Sequence, residues 1–164
     1  MNNNFSIREA DMKDAKLISE LADAIWRKHY PSIISIEQID YMLGNRYSEP
    51  HIQRIMQNGE RFFLLYDEET CSAYASIEER KEETYLHKFY VLVDRHRSGI
   101  GQALFSHLLQ FTNPSKPIRL QVNRKNIKAI NFYFKHAFTI EGAQDFDIGN
   151  GFFMEDFVMV RKPA

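Results

Sequence analysis

Apolar residues recur at Ile18, Leu21, Ala22 and Ile25, the i, i+3, i+4, i+7 spacing of a helix that turns one face to a core. Asp11 stands ahead of that run as a cap, and His29-Tyr30-Pro31 ends it. Ser35 followed by Gln38 is a capping-box signature for a second short helix reaching about Leu43. Residues 49–57 predict a third, stopped by Asn58-Gly59. Strand-like patterns occupy residues 5–8, 62–66 and 71–77, and the longest β-like run covers residues 85–93. The polar stretch 78–83 reads as a connection whose charges face solvent. Beyond residue 93 the order becomes a glycine turn, a helix with Leu104, Leu108 and Phe111 on one face, a strand at 118–122 and a helix at 126–136. Residues 138–146 and 152–160 predict an antiparallel pair of strands around Gly149-Asn150-Gly151. The class is α/β (α+β) with a mixed sheet.

The length of 164 residues is about one domain's worth, and no repeat or Gly/Ser-rich linker divides it, so residues 1–164 read as a single domain. Apolar residues at 44% and charged residues at 26% exclude a disordered or collagen-like chain. Twenty-one Lys and Arg against 22 Asp and Glu offer no general basic surface, which argues against a nucleic-acid partner. The single cysteine, Cys71, forms no intrachain disulfide and fits a reducing compartment. No apolar run approaches the roughly 18 residues of a membrane span, and the first residues do not resemble a signal peptide. A cytoplasmic protein with no membrane partner is the expectation. His29, His51, His96, His107 and His136 lack metal-ligand spacing and no cysteine pair exists, so no metal is expected.

The informative stretch is the strand–glycine–helix run. Gly99 and Gly101 sit at a helix start, where backbone N–H groups lack intrahelical partners and carry the positive end of the helix dipole. Missing side chains let a phosphate or pyrophosphate approach that backbone. A dinucleotide fingerprint would need a third glycine where Leu104 stands, and no Walker Gly-Lys-Ser/Thr is present. The glycines alone leave open a turn that needs them for geometry only.

The run from Phe89 to Leu104, with Gly99-Ile100-Gly101 at its centre, resembles the acyl-CoA-binding motif of the GNAT N-acetyltransferase superfamily. A second segment, Asn126-Ile127-Lys128-Ala129-Ile130-Asn131-Phe132-Tyr133-Phe134-Lys135-His136-Ala137-Phe138, resembles the family's Asn-x-x-Ala-x-x-Phe-Tyr-x-Lys-x-Gly-Phe pattern. Ile7-Arg8-Glu9-Ala10 with Asp14 matches the usual N-terminal strand and helix start. His96 stands where Arg or Gln is usual. Ala137 replaces the glycine before Phe138, which implies a slightly different helix exit.

The resemblance implies a GNAT-like mixed, mostly antiparallel sheet flanked by helices and splayed at the coenzyme site, with acetyl-CoA as cosubstrate. By the same resemblance, the backbone of Phe89, Tyr90 and Val91 pairs with the pantetheine arm. The amides of Arg97, Ser98, Gly99, Ile100, Gly101 and Gln102 hold the pyrophosphate. Asn126 and Tyr133, seven residues apart, share one helix face about 10 Å in length, so one extended arm could touch both. Tyr133 is implied as general acid for the departing thiolate. Asn126 as a helix cap and Tyr133 as an edge-of-core aromatic are the structural alternatives. Arg95, Arg97, Arg124, Lys125 and Lys128 read either as solvated charges or as attractors of the coenzyme's 3′-phosphate.

Acetyl transfer to an amine requires a neutral nucleophile, because an alkylammonium with a pKa of about 10 has no lone pair to attack with. The oxyanion requires a donor, which a backbone N–H near Val91 could supply. His87 shares a strand face with Phe89 and Val91, and imidazole is the side chain suited to taking a proton at neutral pH, which makes it the candidate base. The run from Trp26-Arg27-Lys28-His29-Tyr30-Pro31 through residues 37–43, with residues 147–151 and 154–159, resembles the branch containing bacterial spermidine/spermine acetyltransferases. Glu37, Asp40, Asp145, Asp147, Glu155 and Asp156, with Trp26, Tyr30 and Phe153 nearby, would suit a cationic amine such as a polyamine. Peptide N-termini and other small amines are the competing acceptors. A coenzyme-A-binding regulatory module without catalysis is the competing class, and either a monomer or a homodimer is compatible.

Overall fold

The computed structural model describes residues 4–96 and 98–164, which divide into two compact units. The first takes the chain up to Glu78 and resumes over Lys88–Phe111. In it, β1 (Phe5–Glu9) pairs antiparallel with β2 (Arg61–Asp67), which pairs antiparallel with β3 (Thr70–Glu79). Phe62, Phe63, Leu64 and Leu65 on β2 are all fully buried, so this strand is apolar on both faces rather than alternating.

Asp11 caps a single 3-10 turn, Met12–Asp14, that feeds directly into α1 (Ala15–His29). Its side chain accepts from Lys13 N while the Asp14 carboxylate accepts from Asp11 N, and Arg8 brackets Asp14 at 2.7 and 2.8 Å. The stripe of Ile18, Leu21, Ala22 and Ile25 is buried as its spacing requires, and Trp26 extends it. Helix α2 (Ile36–Arg46) begins at Ser35, whose Oγ accepts from Gln38 N, and runs past Leu43 through Gly44. Glycine costs about 1 kcal/mol within a helix. Burial of Tyr47 at the helix end, where its N–H bonds Leu43 O, supplies packing that offsets this. Helix α3 (Glu49–Gln57) has the expected boundaries and ends at Asn58.

The same unit holds Lys88–Val91 from β4 (Thr84–Val91) and all of α4 (Ile100–Leu109). Lys88 Nζ sits 2.8 Å from Glu60 Oε1, which also accepts from Ser76 Oγ at 2.6 Å. The lysine's ammonium lies over the Tyr47 and Phe62 rings, a cation held by a carboxylate and two aromatics together.

The second unit combines Glu79–His87 with Thr112–Ala164. It contains the first half of β4, β5 (Ile118–Asn123), α5 (Ile127–Lys135), β6 (Phe138–Gly149) and β7 (Phe152–Arg161). Strand β4 pairs in parallel with β5, Thr84 opposite Ile118 and Tyr85 opposite Arg119. Strand β7 pairs antiparallel with both β5 and β6. Asn150 and Gly151 turn β6 into β7 with φ of 54° and 80°, the two positive values a tight hairpin needs. The full strand order is β1-β2-β3-β4-β5-β7-β6, a mixed and mostly antiparallel sheet accompanied by five α-helices.

Two expectations change here. The charges of the connection at residues 78–83 are partnered rather than merely solvated: Glu79 binds Lys116 at 2.7 Å and Glu83 binds Arg119. The exit from α5 is left-handed, with Ala137 at φ 68° in the conformation a glycine favours. Alanine thus preserves the turn at a steric cost rather than altering it. No helix among the described residues is long and apolar enough to cross a membrane.

Candidate active site

The strand end and glycine turn belong to the first unit. After Val91, Leu92 N donates to Ser72 O at 2.9 Å and a 3-10 turn covers Val93–Arg95. The His96 ring places Nε2 3.0 Å from Val91 O, so this histidine fastens the turn to the strand it leaves. Ser98 Oγ donates to Arg95 O. Arg97 lies outside the described residues. Gly99 then adopts φ 83° and ψ 1°, a left-handed conformation that favours glycine, and serves as N-cap of α4.

Among the described residues, no side chain caps this helix start. The N–H groups of Ile100, Gly101 and Gln102 are the first three of the helix, and Ala103 N is the first to bond back, to Gly99 O. Ile100, Leu104 and Leu108 are buried at 1%, 0% and 2% exposure and fix the helix in the core. The result is a rigid row of donor N–H groups at a positive dipole end, with no Cβ at Gly99 or Gly101. Its chemistry fits a pyrophosphate.

Phe89 and Tyr90 divide between the two faces of β4. Phe89 meets Phe105 of α4, ring centroids 6.3 Å apart. Tyr90 enters a cluster with Trp26, Tyr30, Tyr47 and Tyr74, its hydroxyl 3.4 Å from that of Tyr47. This corrects the reading of Trp26 and Tyr30 as an aromatic lining: they are 1% and 4% exposed and serve as core. Asp40 is likewise committed, to Arg27, which also binds Asp23. Of the coenzyme-end cations, Arg95 is paired to Asp67 and Arg124 to Asp145. Burial pushes the Cys71 thiol up to about 11, which makes it a poor nucleophile.

The remaining candidates lie in the second unit. Asn126 is the N-cap of α5, its Oδ1 accepting from Ala129 N at 3.4 Å. Asn126, Ile130 and Tyr133 form the buried face of that helix. Tyr133 packs edge-on against Phe138 at 5.4 Å, and burial raises its phenol well above the usual value, so it stays protonated. The ring of His87 lies 4.7 Å from that of Tyr85, two residues back on β4. Burial pushes the Tyr85 phenol up to about 12.

Asp156 on β7 is the charged group whose environment was least apparent from the pattern. It is 5% exposed, and its Oδ1 has no hydrogen-bond partner among the described residues. Desolvation pushes its carboxyl up to about 6; Arg124 works against that shift and Asp145 adds to it. Only its place among the hairpin's acidic residues marked it. Among the described residues, no group of three His, Cys, Asp or Glu side chains is placed to hold a metal ion.

Residues 19–138 match the Acetyltransferase (GNAT) family. The chain belongs to the GNAT acetyltransferase family. As a member it is an acetyl-CoA-dependent N-acetyltransferase, with an amine as acyl acceptor. It is 25% identical over 159 residues to a spermidine N(1)-acetyltransferase of Thermoplasma acidophilum, covering 93% of this chain and 96% of that one. A solved structure of PaiA N-acetyltransferase from Thermoplasma acidophilum in complex with coenzyme A has the same fold. Its TM-score is 0.81 at 22% identity, over 97% of this chain and 99% of that one. An Arabidopsis thaliana protein in complex with the bisubstrate analogue CoA-Ac-MVNAL also shares the fold. There the TM-score is 0.69 at 20% identity, over 96% and 98% of the two chains. The GNAT assignment thus agrees with the two motifs read from the sequence.

Proposed function

We propose that this GNAT enzyme acetylates a primary amine that is cationic in solution, a polyamine first among them, by direct attack on acetyl-CoA in a ternary complex. The observation that carries the coenzyme half is the uncapped start of α4 behind Gly99. The peptide N–H groups of Ile100, Gly101 and Gln102, with those of Ser98 and Gly99, hold the pyrophosphate. The backbone of Phe89, Tyr90 and Val91 takes the pantetheine arm, and Asn126 assists at the start of α5.

The acceptor half is supported by the spermidine-acetylating relative, which aligns along 93% of the chain. His87 removes the proton that the attacking amine must lose, directly or through water. Tyr133 serves the leaving group. A phenol held above a thiol's pKa of about 8.5 donates a hydrogen bond to the thiolate more readily than a whole proton. Stabilising the departing sulfur is therefore its main contribution.

Two measurements check these roles. Gly101→Asp puts a side chain and a negative charge into the anion cradle. It should weaken acetyl-CoA binding roughly tenfold or more, against the favourable helix-dipole and hydrogen-bond terms it opposes. Calorimetry on the folded variant reads this, and wild-type affinity would refute the placement. For the acceptor, spermidine should exceed a neutral or anionic amine in kcat/KM by roughly tenfold or more, the worth of one charge-assisted hydrogen bond. Equal values would sink the cationic acceptor and leave the acetyltransferase standing.

A further inference from the structure

The β6–β7 hairpin is acidic: Glu141, Asp145, Asp147, Glu155 and Asp156 stand against Arg161 alone between residues 138 and 161. Most of these carboxylates are already in use. Glu141 binds Arg119, Asp145 binds Arg124, and Asp147 accepts from Gly149 N. Glu155 is exposed to water. Asp156 differs from all of them, being 95% withdrawn from solvent with one carboxylate oxygen unsatisfied among the described residues. A buried polar atom in that condition costs stability until a donor reaches it.

Strand register places the group. Asp156 lies opposite Asn123 on β5 and opposite Gln144 on β6. Directly opposed residues share a sheet face, and alternate residues along a strand share it too. Asp156 therefore lies on the face of Asn123, Gln121 and Arg119, and Arg119 is opposite Tyr85 on β4. His87, two residues beyond Tyr85, projects to that same face. The Asn123 side-chain oxygen Oδ1 accepts from Lys125 N at 2.9 Å. Arg124, the cation that acts on Asp156, gives its guanidinium to Asp145.

We propose that Asp156 anchors the acceptor by accepting a hydrogen bond from an ammonium group other than the one being acetylated. The proposal rests on the amine-acceptor reading above and adds the residue that selects a polycation. A polyamine has to present one neutral nitrogen to the thioester and still carries charge on another. A carboxylate on the face of His87, buried and with one oxygen lacking a hydrogen-bond partner among the described residues, matches that remaining charge. Burial pushes its carboxyl up to about 6, and an arriving ammonium would favour the charged form, as Arg124 already does in part.

Spermidine is the probe, titrated calorimetrically into the coenzyme-A-loaded protein and into Asp156→Asn. The variant should bind spermidine at least tenfold more weakly, bind coenzyme A unchanged, and melt no lower than wild type at pH 7. In steady-state assays the loss should fall on KM for spermidine rather than on kcat. Equal spermidine affinity in the two proteins overturns the anchor, as does wild-type protein that binds no spermidine. A lowered melting point with a parallel loss of coenzyme affinity would mark the carboxylate as structural and overturns it too. Asp156→Ala provides the same readings should the Asn variant not fold. Should wild type bind spermidine without acetylating it, the acceptor reading fails; loss of that binding in Asp156→Asn still upholds the anchor.

Discussion

Tyr133→Phe should lower turnover by roughly tenfold to ten-thousandfold, the span covered by single acid–base groups. The substitution keeps the ring that packs on Phe138 at 5.4 Å and removes only the hydroxyl. Stability and coenzyme affinity should therefore change little, and the loss should appear in kcat. Because burial holds the phenol far above neutrality, the effect should be nearly constant from pH 6 to 9. A more nucleophilic acceptor amine provides no rescue, but a thioester with a more acidic thiol does, since its thiolate needs less help. Single-turnover assays with acetyl-CoA and such an analogue measure this. Unchanged turnover at every pH would remove Tyr133 from the reaction.

Lys88→Met should destabilise the fold by about 3–5 kcal/mol, the usual cost of leaving one member of a buried ion pair alone. The Lys88 and Glu60 side chains are 11% and 7% exposed, and Ser76 Oγ is the other donor to the carboxylate. Losing the ammonium strands a charge among Tyr47 and Phe62, which the lysine also covers. At roughly 2–4 °C per kcal/mol for a chain of this size, the melting point should fall by about 6–20 °C. Adding Glu60→Gln to Lys88→Met should recover much of it, because the remaining amide carries no charge. A single variant that melts within 2 °C of wild type would show the pair to be dispensable.

The coenzyme motif was legible because its information is local. Gly99 has to be left-handed and the three following amides have to be free, and both requirements appear as residue types within four positions. Helix α3 was equally clear, stopped by Asn58 and Gly59 just after its last residue, Gln57. What escaped depends on partners distant in sequence. Trp26 reads as an exposed aromatic near carboxylates until Tyr30, Tyr47 and Tyr90 close around it. Lys88 carries no local sign of its partner, a carboxylate 28 positions earlier. Asp156 was visible only as one acid among several; its burial follows from lying between β5 and β6, a fact of register rather than of local pattern.

The position of β7 has a consequence during synthesis. It lies between β5 and β6 yet is translated after both. Until Phe152–Arg161 has left the ribosome, β5 and β6 each present an open row of backbone donors and acceptors where β7 belongs. Nascent chains on crowded polysomes would expose that pair of unmatched edges together, and a ribosome stalled before Phe152 would prolong it. Chaperone dependence in the cell should consequently concentrate in the last stage of elongation, when one strand closes two edges at once.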